Sequence, residues 1–306
     1  MTLRAQQHGA ALLIAMLVAA LAAAVAVSLG ADQQRWLATF EHRRDQVQAQ
    51  ALALAGVQWA RQVLQDDARG GGPDYLGEPW ALPLPPTPVE NGAIEGRIID
   101  AQGLLNVNNL VRDGAVATAE RIRLARMFSR LGLPTAALDA IADWVDADDA
   151  ARASGAEDNW YTQQPSPRLA ANAPALRLAE LAAVRGLTTA TVASLAPFAT
   201  ALPPTTPLNV NTASPEVLAA AVGGLEGDRL AALVADRARK PFTTVAEFRA
   251  RLPPGTVIGD ETAYSVSSRY FLVTVRARQG ETLAQARALI RRNVTERPVI
   301  LWQVVE

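Results

Sequence analysis

Carboxylates crowd one part of this sequence. Between Pro134 and Glu180 stand Asp139, Asp143, Asp146, Asp148, Asp149, Glu157, Asp158 and Glu180, against Arg152, Arg168 and Arg177. That is eight acids to three bases, net −5, in a chain whose formal charge is only −1. Asp143 and Asp146, three apart, share one face of a helix end, and Asp146 and Asp148 point the same way if the chain there is extended. Gly155-Ala156-Glu157-Asp158 brings back two more carboxylates after a short irregular loop. Converging carboxylates repel unless a cation sits among them. Hard Ca²⁺ takes six to eight oxygens, whereas Mg²⁺ suits fewer acids plus a phosphate, and nothing here cradles phosphate. The spacing is not that of an EF-hand, because Ala150 follows Asp149 and no Glu closes the loop. A glycosidase acid/base pair also needs two carboxylates, but only Trp144, Trp160 and Tyr161 are at hand to line a cleft. A solvated acidic loop is the remaining alternative, and charge pattern alone leaves it open.

Other chemistry is scarce. Zero cysteine removes disulfides, zinc thiolates, iron–sulfur clusters and thiol nucleophiles together. Of the two histidines, His8 precedes a long apolar run and His42 lies in a charged helical stretch, so neither suits a catalytic base in a pocket. Near-neutral charge gives no general attraction to nucleic acid. One stretch nonetheless bears on DNA. Leu208-Asn209-Val210-Asn211-Thr212-Ala213-Ser214 with Gly223-Gly224-Leu225-Glu226-Gly227 resembles the helix–hairpin–helix modules of competence DNA receptors, which hold phosphate on backbone N–H groups at a glycine turn. Here Glu226 and Asp228 place carboxylates at that turn, and Leu208 to Leu252 carries six basic residues against five acidic. A protein-contact role for the same small helical fold follows. A membrane-anchored periplasmic DNA receptor stays as the alternative function.

These residues need elements to position them. The 306 residues allow two modest domains or one large one. Ala10 to Ala31 is 22 residues without a charge, about 33 Å as a helix and enough to cross a bilayer core. Arg4 and His8 before it and Asp32 after it place the N-terminus in the cytoplasm. A Sec signal peptide is the alternative, since small-x-small sites lie near Leu21 to Ala26. However, Asp32 to Asp67 contains no Pro and only Gly56. Phe40, Val47 and Leu54 recur at seven-residue spacing, with Trp36, Ala51, Val57 and Leu64 expected on the same face. The apolar run therefore continues into an amphipathic helix, a membrane anchor and a packing spine in one.

Beyond the helix, Gly70 to Gly72 and the prolines from Pro79 to Pro88 read as a loop. Gly92 to Ala101 reads as a strand, and Tyr264 to Val305 as further strands with a turn at Gln279-Gly280-Glu281. Between them lies a helical block, about Asn108 to Glu261. Its apolar faces are Leu124, Met127, Phe128 and Leu131, then Leu138, Ile141 and Val145, then Leu230, Leu233 and Val234. Ser214-Pro215 and the Thr244/Glu247 capping box mark helix starts. Leu105-Asn106-Val107-Asn108 recurs as Leu208-Asn209-Val210-Asn211, each time before helices, which suggests internal duplication. The expected fold is α+β: a long N-terminal helix on a small antiparallel sheet, interrupted by a large helical insertion.

A polar leader ending at Gly9 resembles a class III signal cut by prepilin peptidase between Gly9 and Ala10, as in type IV pilins and pseudopilins. The fifth residue from Ala10 is Ile14, where most pilins carry Glu. Across essentially the whole chain the sequence resembles the minor pseudopilin K family of type II secretion. The resemblance rests on Leu54-Ala55-Gly56-Val57-Gln58-Trp59-Ala60, Ile98 through Leu110, Asp143-Trp144-Val145-Asp146-Ala147-Asp148, Gly155-Ala156-Glu157-Asp158, Ala171-Asn172 and Asn209-Val210-Asn211-Thr212-Ala213.

It implies a non-enzymatic subunit with a type IV pilin-like fold, anchored in the inner membrane with its bulk in the periplasm and methylated after cleavage. The expected division is leader 1–9, membrane segment 10–31, periplasmic helix 32–67, pilin-like domain 68–107 and 263–306, and inserted domain 108–262. The implied partners are minor pseudopilins I and J and, through them, the major pseudopilin, together forming the pseudopilus tip. No nucleic acid is expected. The family binds calcium, and motif position carries over Asp146, Asp148, Glu157 and Asp158 as ligands, with Asp143 and Asn172 as further candidates.

Overall fold

A computed structural model describes residues 7–293 and 295–306, with the side chains of 7–9 left aside; leader residues 1–6, Arg4 among them, lie outside the described residues. Helix α1 (Gln7–Gly70) runs unbroken for 64 residues. An 18-residue stretch of it has a mean hydropathy of 2.8 with none of its residues buried, and among the described residues it is the one helix apolar enough to cross a membrane. From Ala49 the same helix buries Ala49, Ala53, Val57, Ala60 and Leu64 on one face, a spacing of three and four residues that lines up along a helix. Gly56 belongs to that face because a Cβ there would press on Val275 and Ile94.

The seven-residue stripe divides in the structure. Trp36, Phe40 and Val47 are exposed, whereas Val57 and Leu64 are core. Val57 is three residues from Leu54 rather than seven, about 60° round the helix at 100° per residue. There is also no sheet to bury the earlier residues, since the sheet's lower end, at Gly280, lies against Asp45.

The sheet comprises β1 (Leu84–Val89), β2 (Gly92–Asp100), β3 (Tyr270–Gln279), β4 (Thr282–Arg291) and β5 (Val299–Val305). The strands lie side by side in that order, all antiparallel. The proline-rich stretch expected to be a loop contains β1. Pro85, Pro86 and Pro88 lack N–H groups, which an edge strand tolerates because one side of it has no ladder to complete. Helix α1 covers β2, β3 and β4 and closes a core of Ile98, Phe271, Val273, Val275, Ala286 and Ile290 with its own small residues.

Asp100 of β2 pairs directly with Phe271 of β3, so residues 101–269 leave and re-enter the sheet at adjacent points. They form α2 (Thr118–Arg130), α3 (Ala137–Val145), α4 (Asp158–Tyr161), α5 (Thr189–Leu195), α6 (Pro215–Ala221), α7 (Gly227–Arg239) and α8 (Val245–Ala250) around a second core. The expected faces point inward: Leu124, Met127, Phe128, Leu138, Ile141, Val145 and Leu233 are all buried. Ser214 accepts from Val217 N at 3.2 Å, and Thr244 from Glu247 N at 3.0 Å. The boundaries differ from those drawn at 107/108 and 262/263. Leu105, Val107 and Tyr264 belong to the helical core, because the strands stop at Asp100 and resume at Tyr270.

The repeated tetrapeptide is a repeated clasp. Leu105–Asn106 pairs in parallel with Ala199–Thr200, and Leu208–Asn209 with Tyr264–Ser265. Asn108 donates to Ala175 O and accepts from Ala175 N, both at 2.9 Å. Asn211 does the same with Phe242, again at 2.9 Å in both directions. Each amide thus replaces a strand neighbour, satisfying backbone groups that burial would otherwise leave orphaned.

Candidate metal centre

The acidic run folds into one corner of the helical domain. Helix α3 carries Asp143 inward, where it is 0 % exposed, and ends at Asp146, whose extended backbone turns the chain out. The returning loop supplies Arg152. Its guanidinium Nη1 donates to Asp143 Oδ1 at 2.5 Å and Asp146 Oδ2 at 2.6 Å, while its backbone N–H reaches Asp143 Oδ2 at 3.1 Å. Gly155 packs over Asp143 so closely that a Cβ would overlap the carboxylate, and its carbonyl accepts from Arg185 Nη1 at 2.8 Å. That contact accounts for the glycine of the Gly155-Ala156-Glu157-Asp158 motif. Glu157 then stands just before α4, whose Tyr161 packs edge-on against Trp144 at 5.2 Å.

Three of the expected ligands converge. Oxygens of Asp146, Asp148 and Glu157 lie within 4.8 Å of one another. Asp146 and Glu157 are 3 % and 4 % exposed, yet Asp146 Oδ1 and both Glu157 oxygens have no hydrogen-bond partner. Burying an ion without a partner costs several kcal/mol, so these orphaned oxygens separate the corner from a solvated acidic loop. Asn172 Oδ1 is also buried and unpartnered, while its Nδ2 donates to Asp149 at 3.1 Å. The other two candidates are otherwise engaged. Asp143 is taken by Arg152, and Asp158 accepts from Ala170 N at 2.7 Å, tying down the following loop instead. Burial and the neighbouring Asp143, Asp146 and Asp148 push Glu157 up to about 7. Burial also raises Asp146, against the Arg152 hydrogen bond. The donor set is all oxygen, the preference of a hard cation.

Sequence reasoning gave no role to Arg152. The one cue was a base standing inside an acidic run.

The glycine turn of the helix–hairpin–helix-like segment is built differently from a phosphate cradle. Gly223 N donates to Val257 O at 2.9 Å, Leu225 is buried, and Glu226 pairs with Arg130 at 2.8 Å. Its amide is spent inside the fold, and the Glu226 carboxylate at the turn is held by Arg130.

Comparison with known proteins joins these observations. Residues 103–204 and 208–267 match two family models described as type II secretion system (T2SS), protein K. The division falls between the two clasped modules. The type II secretion system protein K of Pseudomonas aeruginosa is 34 % identical over 91 % of this chain and 87 % of its own. The chain belongs to the type II secretion system protein K family. That of Pectobacterium carotovorum subsp. carotovorum is 29 % identical over 94 % of this chain and 93 % of its own. The fold is similar to a chain in the crystal structure of the GspK-GspI-GspJ complex from enterotoxigenic Escherichia coli, with TM-score 0.76 and 23 % identity, covering 88 % of this chain and 99 % of that one. The family member described here is thus a minor pseudopilin of type II secretion, a structural subunit with a pilin-like fold carrying a large helical domain.

Proposed function

We propose that this protein K caps the tip of the periplasmic pseudopilus as a non-enzymatic subunit, together with minor pseudopilins I and J and through them the major pseudopilin. The observation that carries the reading is where the helical domain sits. The β3–β4 turn at Gly280 lies against Asp45, nearer the membrane segment, whereas the insertion departs at the sheet's other end, where Arg292 pairs with Asp67 near the end of α1. A bulky domain beyond the far end of the helix obstructs further pilin-like subunits sterically. The structural relative bound to I and J supports the same partners. The anchor is read as inner-membrane, with the N-terminus cytoplasmic, and processing as cleavage by prepilin peptidase between Gly9 and Ala10 followed by methylation. A pull-down from detergent-solubilised cells with this chain as bait is expected to recover two small pilin-like proteins in stoichiometric amounts. Recovery of neither by a folded bait would sink the tip assignment. DNA binding that weakens with salt would revive the receptor alternative.

The acidic corner is read as a calcium site. Asp146, Asp148 and Glu157 would hold the ion, with Asn172 Oδ1 as a further oxygen, and the bound ion would supply the positive charge that the buried Asp146 and Glu157 oxygens lack. Glu157 must lose its proton to ligate, so affinity rises as pH rises through about 7 and falls up to about tenfold per pH unit below it. In the ion-free protein the sign reverses. The raised pKa makes Glu157 contribute stability at low pH that is lost as pH climbs from the unfolded value through about 7. Calorimetric titration with calcium at pH 6 and pH 8 checks this. Glu157→Gln should weaken binding roughly tenfold or more and flatten its pH dependence, and equal wild-type affinities at both pH values would contradict the assignment.

A further inference from the structure

Two of the motifs that carry the family resemblance meet at one buried point between the domains. Asp100 ends β2 at the start of the first motif; Asn209 and Thr212 belong to the second, more than a hundred residues on. Asp100 Oδ2 accepts from Asn209 Nδ2 at 2.9 Å, Thr212 Oγ1 at 2.6 Å and Ser268 Oγ at 2.6 Å, and its Oδ1 accepts from Gln102 N at 2.8 Å. Gln102 adds a bond to Pro207 O at 3.1 Å and another from Arg269 N at 2.6 Å. Beside it, Arg292 Nη2 donates to both Asp74 oxygens, at 2.6 and 2.7 Å, and Arg292 Nη1 reaches Asp67 on α1. Asp74 in turn accepts from Ser268 N at 2.6 Å. Asp74, Asp100, Asn209 and Ser268 are all at most 3 % exposed. Burial pushes Asp100 up to about 6, while the hydrogen bonds from Ser268, Thr212 and Gln102 favour its charged form.

The apolar contact across this junction is small by comparison, a cluster of Ala101, Leu202, Tyr270 and Leu289. Apolar contact is non-directional and lets surfaces slide. Four charge-assisted bonds on one carboxylate set both distance and angle.

We propose that Asp100, Asn209 and Thr212 form a pin fixing the orientation of the helical domain on the pilin-like sheet, which the Arg292–Asp74–Asp67 chain extends to α1. Asp100 is a positioning residue. Without it the helical domain stays folded around its own core and attached by its two connections, but swings. The consequence for secretion rests on the tip reading above; the pin itself does not.

The cysteine-free chain allows a direct test. Thr87→Cys on β1 and Ala193→Cys on α5, both exposed, take spin labels in the detergent-solubilised full chain, and pulsed electron resonance reads the distance between domains. Asp100→Asn and Thr212→Val should each broaden the distance distribution at least twofold, while Thr212→Ser, which keeps the hydroxyl, restores the narrow one. Calcium titration and near-ultraviolet dichroism should stay as in the unmutated protein. A distribution as narrow in Thr212→Val as in the parent would overturn the pin, and this variant decides if Asp100→Asn fails to fold. Broadening with undiminished secretion would leave the pin standing and remove its link to tip function.

Discussion

Replacing Arg152 by methionine is expected to destabilise the helical domain by about 3–5 kcal/mol, the usual cost of leaving a buried charge without its partner. Asp143 is 0 % exposed at its side chain, and Arg152 balances its charge through the guanidinium and adds a hydrogen bond from its backbone N–H. Methionine keeps much of the side-chain length and apolar stem while removing the charge and donors, so the loss is electrostatic rather than a cavity. The guanidinium also holds Asp146 Oδ2, leaving Oδ1 buried without a partner. Arg152→Met should therefore weaken calcium binding as well as lower the unfolding midpoint, and chemical denaturation with and without calcium measures both. A midpoint within experimental error of the unmutated protein would overturn Arg152 as the partner that stabilises Asp143.

Excising residues 102–268 and closing the gap with a short turn is expected to leave a folded pilin-like domain and abolish secretion. Asp100 and Phe271 are direct partners in an antiparallel ladder, and such neighbours can be joined by a two-residue hairpin. The core under α1 draws no side chain from the excised segment: Ile98 lies before it and Phe271, Val273 and Val275 after it. Circular dichroism and thermal melting of the shortened chain test the first half, and secretion in a strain carrying it tests the second. An unfolded product would show that the two cores depend on each other. Undiminished secretion would show that the helical domain does not make the cap.

Much of this was legible in local patterns. The charge-free run from Ala10, the helical faces around Leu124 and Leu138, the caps at Ser214 and Thr244 and the turn at Gly280 depend on residues within a few positions of one another. Elsewhere local reading misplaced things. The prolines of Leu84–Val89 read as loop because nothing nearby says that one side of that strand has no neighbour. Val57 and Leu64 lie well round the helix from Phe40, and periodicity also leaves out the height at which a sheet begins to cover a face.

By itself, then, the sequence determined the anchor and its spine, the interrupted α+β architecture, the family and the acidic segment that could hold a cation. Tertiary structure alone decided which of those acids act together. Asp143 and Asp146 both stand in the same acidic run as Asp148 and Glu157, but Arg152 takes Asp143 and one oxygen of Asp146, and Asp158 turns away to Ala170. What remains close together is Asp146, Asp148 and Glu157, the first and last buried and Asp148 exposed. The same holds for Asp100 and Asn209, whose bond closes only when two cores pack. Periodicity, charge and turn chemistry act over a few residues and can be read along a chain, whereas the partner of a buried charge is whatever the folded chain brings within about 3 Å.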